Sequence, residues 1–96
     1  MRIELLASVK WEFIGLEREL KRKVARRIRS LPVEYEGADI HRLVGTDHLF
    51  RLRVAGCRIL FHRKADVITL LAIGGRYTEV EIDELVANRR AALEKA

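Results

Sequence analysis

Arg51, Arg53, Arg58 and Arg76 are spaced so that their guanidinium groups could act together on one anion. Arg51 and Arg53 stand two apart in an alternating run. In a strand both then point the same way, about 7 Å apart at ~3.3 Å per residue. Arg58 opens the next run, within cross-strand reach of Arg53 or Val54 according to register. Arg76 follows Gly74-Gly75, where the backbone can turn closely. A guanidinium keeps its charge and meets a phosphate through paired donors. Several converging on one place suit an RNA backbone and stabilise a phosphorane-like transition state. Candidates for proton transfer are fewer. His62 shares the strand parity of Arg58, and an imidazole can act as acid or base near neutral pH. Tyr77 follows Arg76 and can donate a proton or stack on a base. His41 and His48 fall in connecting segments with no evident partner. Strand arginines also serve as a solvated face, their stems packed on aromatics. The residues alone leave both uses open.

Composition narrows the classes. The chain has 96 residues, which fits one domain over 1–96. Nineteen Lys plus Arg against fourteen Asp plus Glu leave +5, and the pI is about 9.9. That balance suits a nucleic acid or an acidic protein partner. Cys57 makes no internal disulfide, which fits a reducing cytoplasm. It reads as a small buried hydrophobe. The first residues, Met1 to Leu6, do not read as a signal peptide. The longest apolar run, Val67 to Gly75, falls short of the ~20 residues of a membrane helix, so no membrane partner is expected. No Cys/His spacing fits zinc, and no Gly-rich loop opens a helix, so neither metal nor cofactor is expected.

The elements that must position these residues follow from period. Arg2 to Leu6 reads as a strand. Val9 to Ile14 reads as a short helix with Ser8 as its N-cap, and Trp11 and Phe13 are expected inside. Gly15 or Leu16 divides it from a second helix, Glu17 to Leu31. There Leu20, Val24, Ile28 and Leu31 form one apolar stripe. The remaining faces carry Arg18, Lys21, Arg22, Lys23, Arg26, Arg27 and Arg29, which read as a solvated surface. Leu31-Pro32 stops the helix. Val33 to Asp47 is a connector with a short strand possible from Ile40 to Val44. Leu49 to Val54 alternates: Phe50, Leu52 and Val54 face one way, Arg51 and Arg53 the other. Ala55-Gly56 is a turn signal. Cys57 to Arg63 and Val67 to Ile73 are the next strands. Thr78 can cap a last helix, with Glu81 completing a capping box, and Ile82, Leu85, Val86 and Leu93 docking it. The fold class is therefore α+β, in the order β-α-α-β-β-β-α, with a helical pair on one face of an antiparallel sheet.

Taken together, the segments resemble a known signature. Leu43 and Gly45, then Leu49-Phe50-Arg51-Leu52-Arg53-Val54-Ala55-Gly56-Cys57-Arg58-Ile59-Leu60-Phe61, then Leu71-Ala72-Ile73-Gly74-Gly75-Arg76 are similar to the pattern of the RelE/ParE superfamily of bacterial and archaeal toxins. The resemblance implies a type II toxin neutralised by a cognate antitoxin protein. In the RelE branch it implies a metal-independent endoribonuclease that cuts mRNA on the ribosome and so inhibits translation. In the ParE branch it implies an inhibitor of DNA gyrase. A degenerate toxin that only pairs with its antitoxin is the third expectation. By position, Arg51 and Arg53 would hold RNA, while Arg58 and Arg76 would stabilise charge at the scissile phosphate. Tyr77 or His62 would assist. The nuclease prototype carries a late tyrosine where this chain has Ile82. Arginine is a poor general base, so the resemblance leaves the base unassigned.

Overall fold

The computed structural model of the protein describes residues 1–43, 45–75 and 79–95, and of residues 79, 80 and 90–95 the backbone alone. The elements are β1 (Arg2–Leu5), α1 (Ala7–Ile14), α2 (Arg18–Ser30), β2 (Ile40–Arg42), β3 (Leu49–Val54), β4 (Cys57–Lys64), β5 (Val67–Gly74) and α3 (Glu79–Lys95). The α+β order expected from the sequence holds, and β2 adds a short strand. The five strands lie in the order β1-β5-β4-β3-β2. β2 to β5 pair antiparallel. β1 runs parallel to β5, with Arg2 against Val67, so the sheet is mixed where an antiparallel one was expected; the pairing joins segments far apart in the chain and leaves no local pattern.

Alternation along β3 and β4 sets two faces. Phe50 pairs with Phe61, Leu52 with Ile59 and Val54 with Cys57. These side chains meet Val9 from α1 and Val24 and Leu31 from α2 in the main core. Leu20 and Ile28 pack against it, so the predicted stripe of α2 is the buried one. Each fully buried aliphatic side chain stabilises the fold by roughly 1.5–3 kcal/mol. The rings of Phe50 and Phe61 stack with centroids 5.3 Å apart. Cys57 is buried here.

The two helices are separate, joined through Gly15 and Leu16. Glu17 caps α2, its carboxylate accepting from the N–H groups of Glu19 (3.0 Å) and Leu20 (3.3 Å). Those bonds hold its carboxyl below the usual carboxylate range. Ser8 is not a cap: α1 begins at Ala7, ahead of the serine, and Leu6 stands at its N-cap with no side-chain bond. Trp11 is 75% exposed, against expectation. α1 lies on β5 and has apolar residues on more than one side, so docking rather than residue type chooses what is covered. Phe13 does pack against the core.

The opposite face of the sheet is covered only in part. A shift of register falls between Leu60 and Phe61: Leu60 pairs with Ala72 and Phe61 with Leu70, leaving Leu71 as the extra residue of a bulge. Leu71 and Ala72 thereby join Leu60 in a second small core. Ile82, Leu85 and Val86 of α3 dock on it, as the sequence predicts; the side chain of Leu93 and residue Thr78 lie outside the described residues. β1 ends opposite Leu70, so β5 beyond that point has an open edge. Two side chains close it. The Ile73 N–H donates to Glu12 of α1 at 3.3 Å, and Arg89 of α3 donates to the Leu71 carbonyl. Arg89 also pairs with Glu12 at 3.3 Å. The pair therefore ties α1, α3 and the sheet edge together.

Candidate nucleic-acid interface on the sheet

On the partly covered face, residues stand in cross-strand rows. Arg53 of β3 pairs directly with Arg58 of β4, and Arg58 with Gly74 of β5, which adds no side chain. The register thus settles the alternative left by the sequence in favour of Arg53. In the next row His41 of β2 pairs with Arg51 of β3, and Arg51 with Leu60. Directly opposed side chains in a sheet share a face, with Cβ atoms about 4.5–5.5 Å apart. Arg51, Arg53, Arg58 and His41 therefore form one contiguous patch. Arg53 is exposed, while Arg51 and Arg58 are half-buried. Neither Arg51 nor Arg53 forms an ion pair with a carboxylate among the described residues. Arg76 and Tyr77 lie outside the described residues.

His62 shares the face of Arg58, as parity requires, but not its neighbourhood. It pairs with Leu49 and Thr69. Four residues of strand, about 13 Å, separate it from Arg58, with Leu60 between them beneath α3. Its neighbour is the ring of His48, with centroids 5.7 Å apart. Burial first, then the charges of His48 and Lys64, hold the His62 imidazole below its ordinary pKa. The structure therefore groups His62 with His48 and not with the arginines. Burial likewise pushes the Cys57 thiol up, the opposite of what a nucleophile needs.

His41, left without an evident partner by the sequence, gains one in the sheet. It sits mid-strand in β2, a three-residue edge strand. The signal was the alternation of Ile40, His41 and Arg42, but its meaning depends on a register with β3 that no local pattern supplies. A cleft of about 420 Å³ opens between β2, β3 and α3. His41, Arg42 and Arg51 line it with Asp83, and Leu43, Leu49, Ile82 and Val86 supply apolar walls. Cations beside apolar walls can take a phosphate and a base together.

Two other arginine settings show what a site is not. Arg63, on the core face, lies 4.5 Å over the Phe50 ring and 4.8 Å over the Tyr35 ring. It also donates to the Tyr35 carbonyl at 3.1 Å, so it anchors the connector. Arg27 of α2 donates to Asp39 at 2.7 Å and to Ser30 at 2.8 Å. Arg18, Arg22, Lys23, Arg26 and Arg29 are exposed on that helix, as the solvated-surface expectation had it, whereas Lys21 and Arg27 depart from it and are half-buried, Arg27 because it is held by Asp39.

Comparison with solved structures decides the fold. The isolated RelE toxin of E. coli superposes with a TM-score of 0.67 over 90% of this chain and 95% of that one, at 13% identity. The fold is that of the RelE-like toxins. The RelE–RelB complex of Pyrococcus horikoshii matches with a TM-score of 0.64 at 26% identity, covering 78% of this chain and 93% of that one. The YoeB dimer of Staphylococcus aureus matches with a TM-score of 0.65 at 12% identity, covering 80% and 98%. No family model matches the sequence, and no curated protein does. Within this RelE-like fold, Ile82 is buried against the second core and forms a wall of the cleft. No helix among the described residues is long and apolar enough to cross a membrane.

Proposed function

We propose that the protein is the toxin of a type II toxin–antitoxin module and acts as a ribosome-dependent, metal-independent endoribonuclease on mRNA. Its place of action is the cytoplasm, and its regulatory partner is a cognate antitoxin. The observation that carries this reading is the arginine patch on a RelE-like sheet: Arg53 directly opposite Arg58, with Arg51 in the adjoining row.

In such a reaction the ribose 2′-oxygen attacks the neighbouring phosphorus, its proton leaves to a base, and the 5′-oxygen departs and takes up a proton. Negative charge builds on the phosphoryl oxygens. Arg58 and Arg76 would stabilise that charge, and Arg51 and Arg53 would hold the flanking backbone. Fixed cations aimed at developing charge need no rearrangement during the step. Tyr77 would stack on a base or assist proton transfer. His62 fits that assisting role less well, because Leu60 stands between it and the patch.

Reconstituted translation with mapping of mRNA ends tests the reading. The wild-type protein cuts ribosome-bound message. Arg58→Ala lowers the cleavage rate by about 10²–10³-fold, as for loss of one preorganised donor, and keeps its antitoxin affinity. Intact message, or gyrase trapped on cleaved DNA instead, refutes the reading. A variant lacking both Arg58 and Arg76 that cuts as fast as wild type refutes the site.

A further inference from the structure

We infer that His41 is the general base of the cleft, taking the proton of the ribose 2′-hydroxyl; this rests on the ribonuclease reading above. The arginines cannot serve, because a guanidinium does not give up its proton in proteins. A base must lie beside the RNA that the arginines hold, and an imidazole is the side chain that can pass a proton near neutral pH.

His41 meets both conditions. It is the direct antiparallel partner of Arg51, it is exposed, and it lines the same cleft. Among the described residues His48 and His62 are the other imidazoles. They pair with each other beyond Leu49 and Leu60, away from the arginine rows. The groups facing His41 are few. Arg51, and Arg53 on the diagonal, face it from β3. Arg42 follows it on β2, and Asp39, already committed to Arg27, precedes it. From α3 Asp83 lines the same cleft.

The step balances without any further reactant. The 2′-oxygen forms its bond to phosphorus as its proton passes to the His41 ring nitrogen. The bond from phosphorus to the 5′-oxygen breaks, and that oxygen takes a proton from water. His41 later returns its proton to solvent.

Single-turnover cleavage of ribosome-bound message across pH tests this with wild type and His41→Gln. His41→Gln is expected to lose about 10²–10⁴-fold in rate, to keep ribosome affinity, and to lose the acid-side fall of the wild-type pH profile. Added imidazole restores part of that rate. Wild-type rates and an unchanged profile in His41→Gln, while wild type itself cleaves, overturn the inference alone. No cleavage by wild type overturns the ribonuclease reading instead, and the inference with it.

Discussion

The two faces of the sheet are built from the same strands and differ only in the parity of their residues. One face is closed by α1 and α2 over Phe50, Leu52, Ile59 and Phe61. The other is divided: α3 covers Leu60, Leu71 and Ala72, and the hairpin end displays Arg51, Arg53 and Arg58. An arginine takes its role from the face it occupies. On the closed face Arg63 is pinned between two rings and a carbonyl. On the divided face Arg51 and Arg53 have no carboxylate partner among the described residues. Apolar packing is thus concentrated on one side and positive charge on the other.

The difference is sharpest at Phe61. Phe61→Ala is expected to lose about 3–5 kcal/mol in urea unfolding, whereas Arg53→Gln stays within about 0.5 kcal/mol. Comparable losses at the two positions would break the contrast.

The next largest effect lies where α3 meets the sheet. Arg89→Met removes the donor to the Leu71 carbonyl and the partner of Glu12. A cost of about 1–3 kcal/mol is expected. Hydrogen exchange reads it locally: the Ile73 amide, held by Glu12, loses protection, while amides of β3 and β4 keep theirs. Unchanged exchange at Ile73 would mean that the apolar contacts of Ile82, Leu85 and Val86 alone fix the helix.

How much of this was legible in the sequence depended on whether a pattern was local. β3 alternates without interruption, so the outward placement of Arg51 and Arg53 could be read directly. Leu70-Leu71-Ala72-Ile73 is continuous and apolar, and nothing in it marks the bulge that sends Leu71 and Ala72 to the same side. The stripe of α2 was plain, because its other faces are charged. α1 carries Val9, Trp11, Phe13 and Ile14 on several sides, and only docking on β5 left Trp11 outside. His41 was hidden for a related reason, since its neighbour is set by pairing between segments. The parallel place of β1 is likewise a long-range fact.

Smaller effects concern pH. The Arg27 hydrogen bond holds the Asp39 carboxyl below its ordinary value. A depressed carboxyl stabilises the fold above the unfolded pKa and loses that contribution as pH falls through the folded one. Asp39→Asn is therefore expected to cost about 1 kcal/mol at neutral pH, as a paired guanidinium and carboxylate near the surface do. The gap to wild type closes in strong acid. Thermal melts of both proteins across pH measure it, and a gap independent of pH would refute the assignment.

The smallest effect belongs to His62. Its imidazole is held below the ordinary value, so the unfolded chain takes up the proton first. Stability falls as pH drops through the unfolded pKa of about 6.5. His62→Asn removes that loss, flattening the melting temperature on the acid side by a fraction of what Asp39→Asn does. A wild-type acid slope retained in the variant would place the titrating group elsewhere.

The parallel seat of β1 has a consequence for biosynthesis. Arg2 rests against Val67; at roughly 5–20 residues per second the first strand of a nascent chain waits about 3–13 s for its partner to be made. Until then the helices have only an incomplete sheet to cover. β1 is therefore fixed only after the helices and strands that lie between it and β5 have been made.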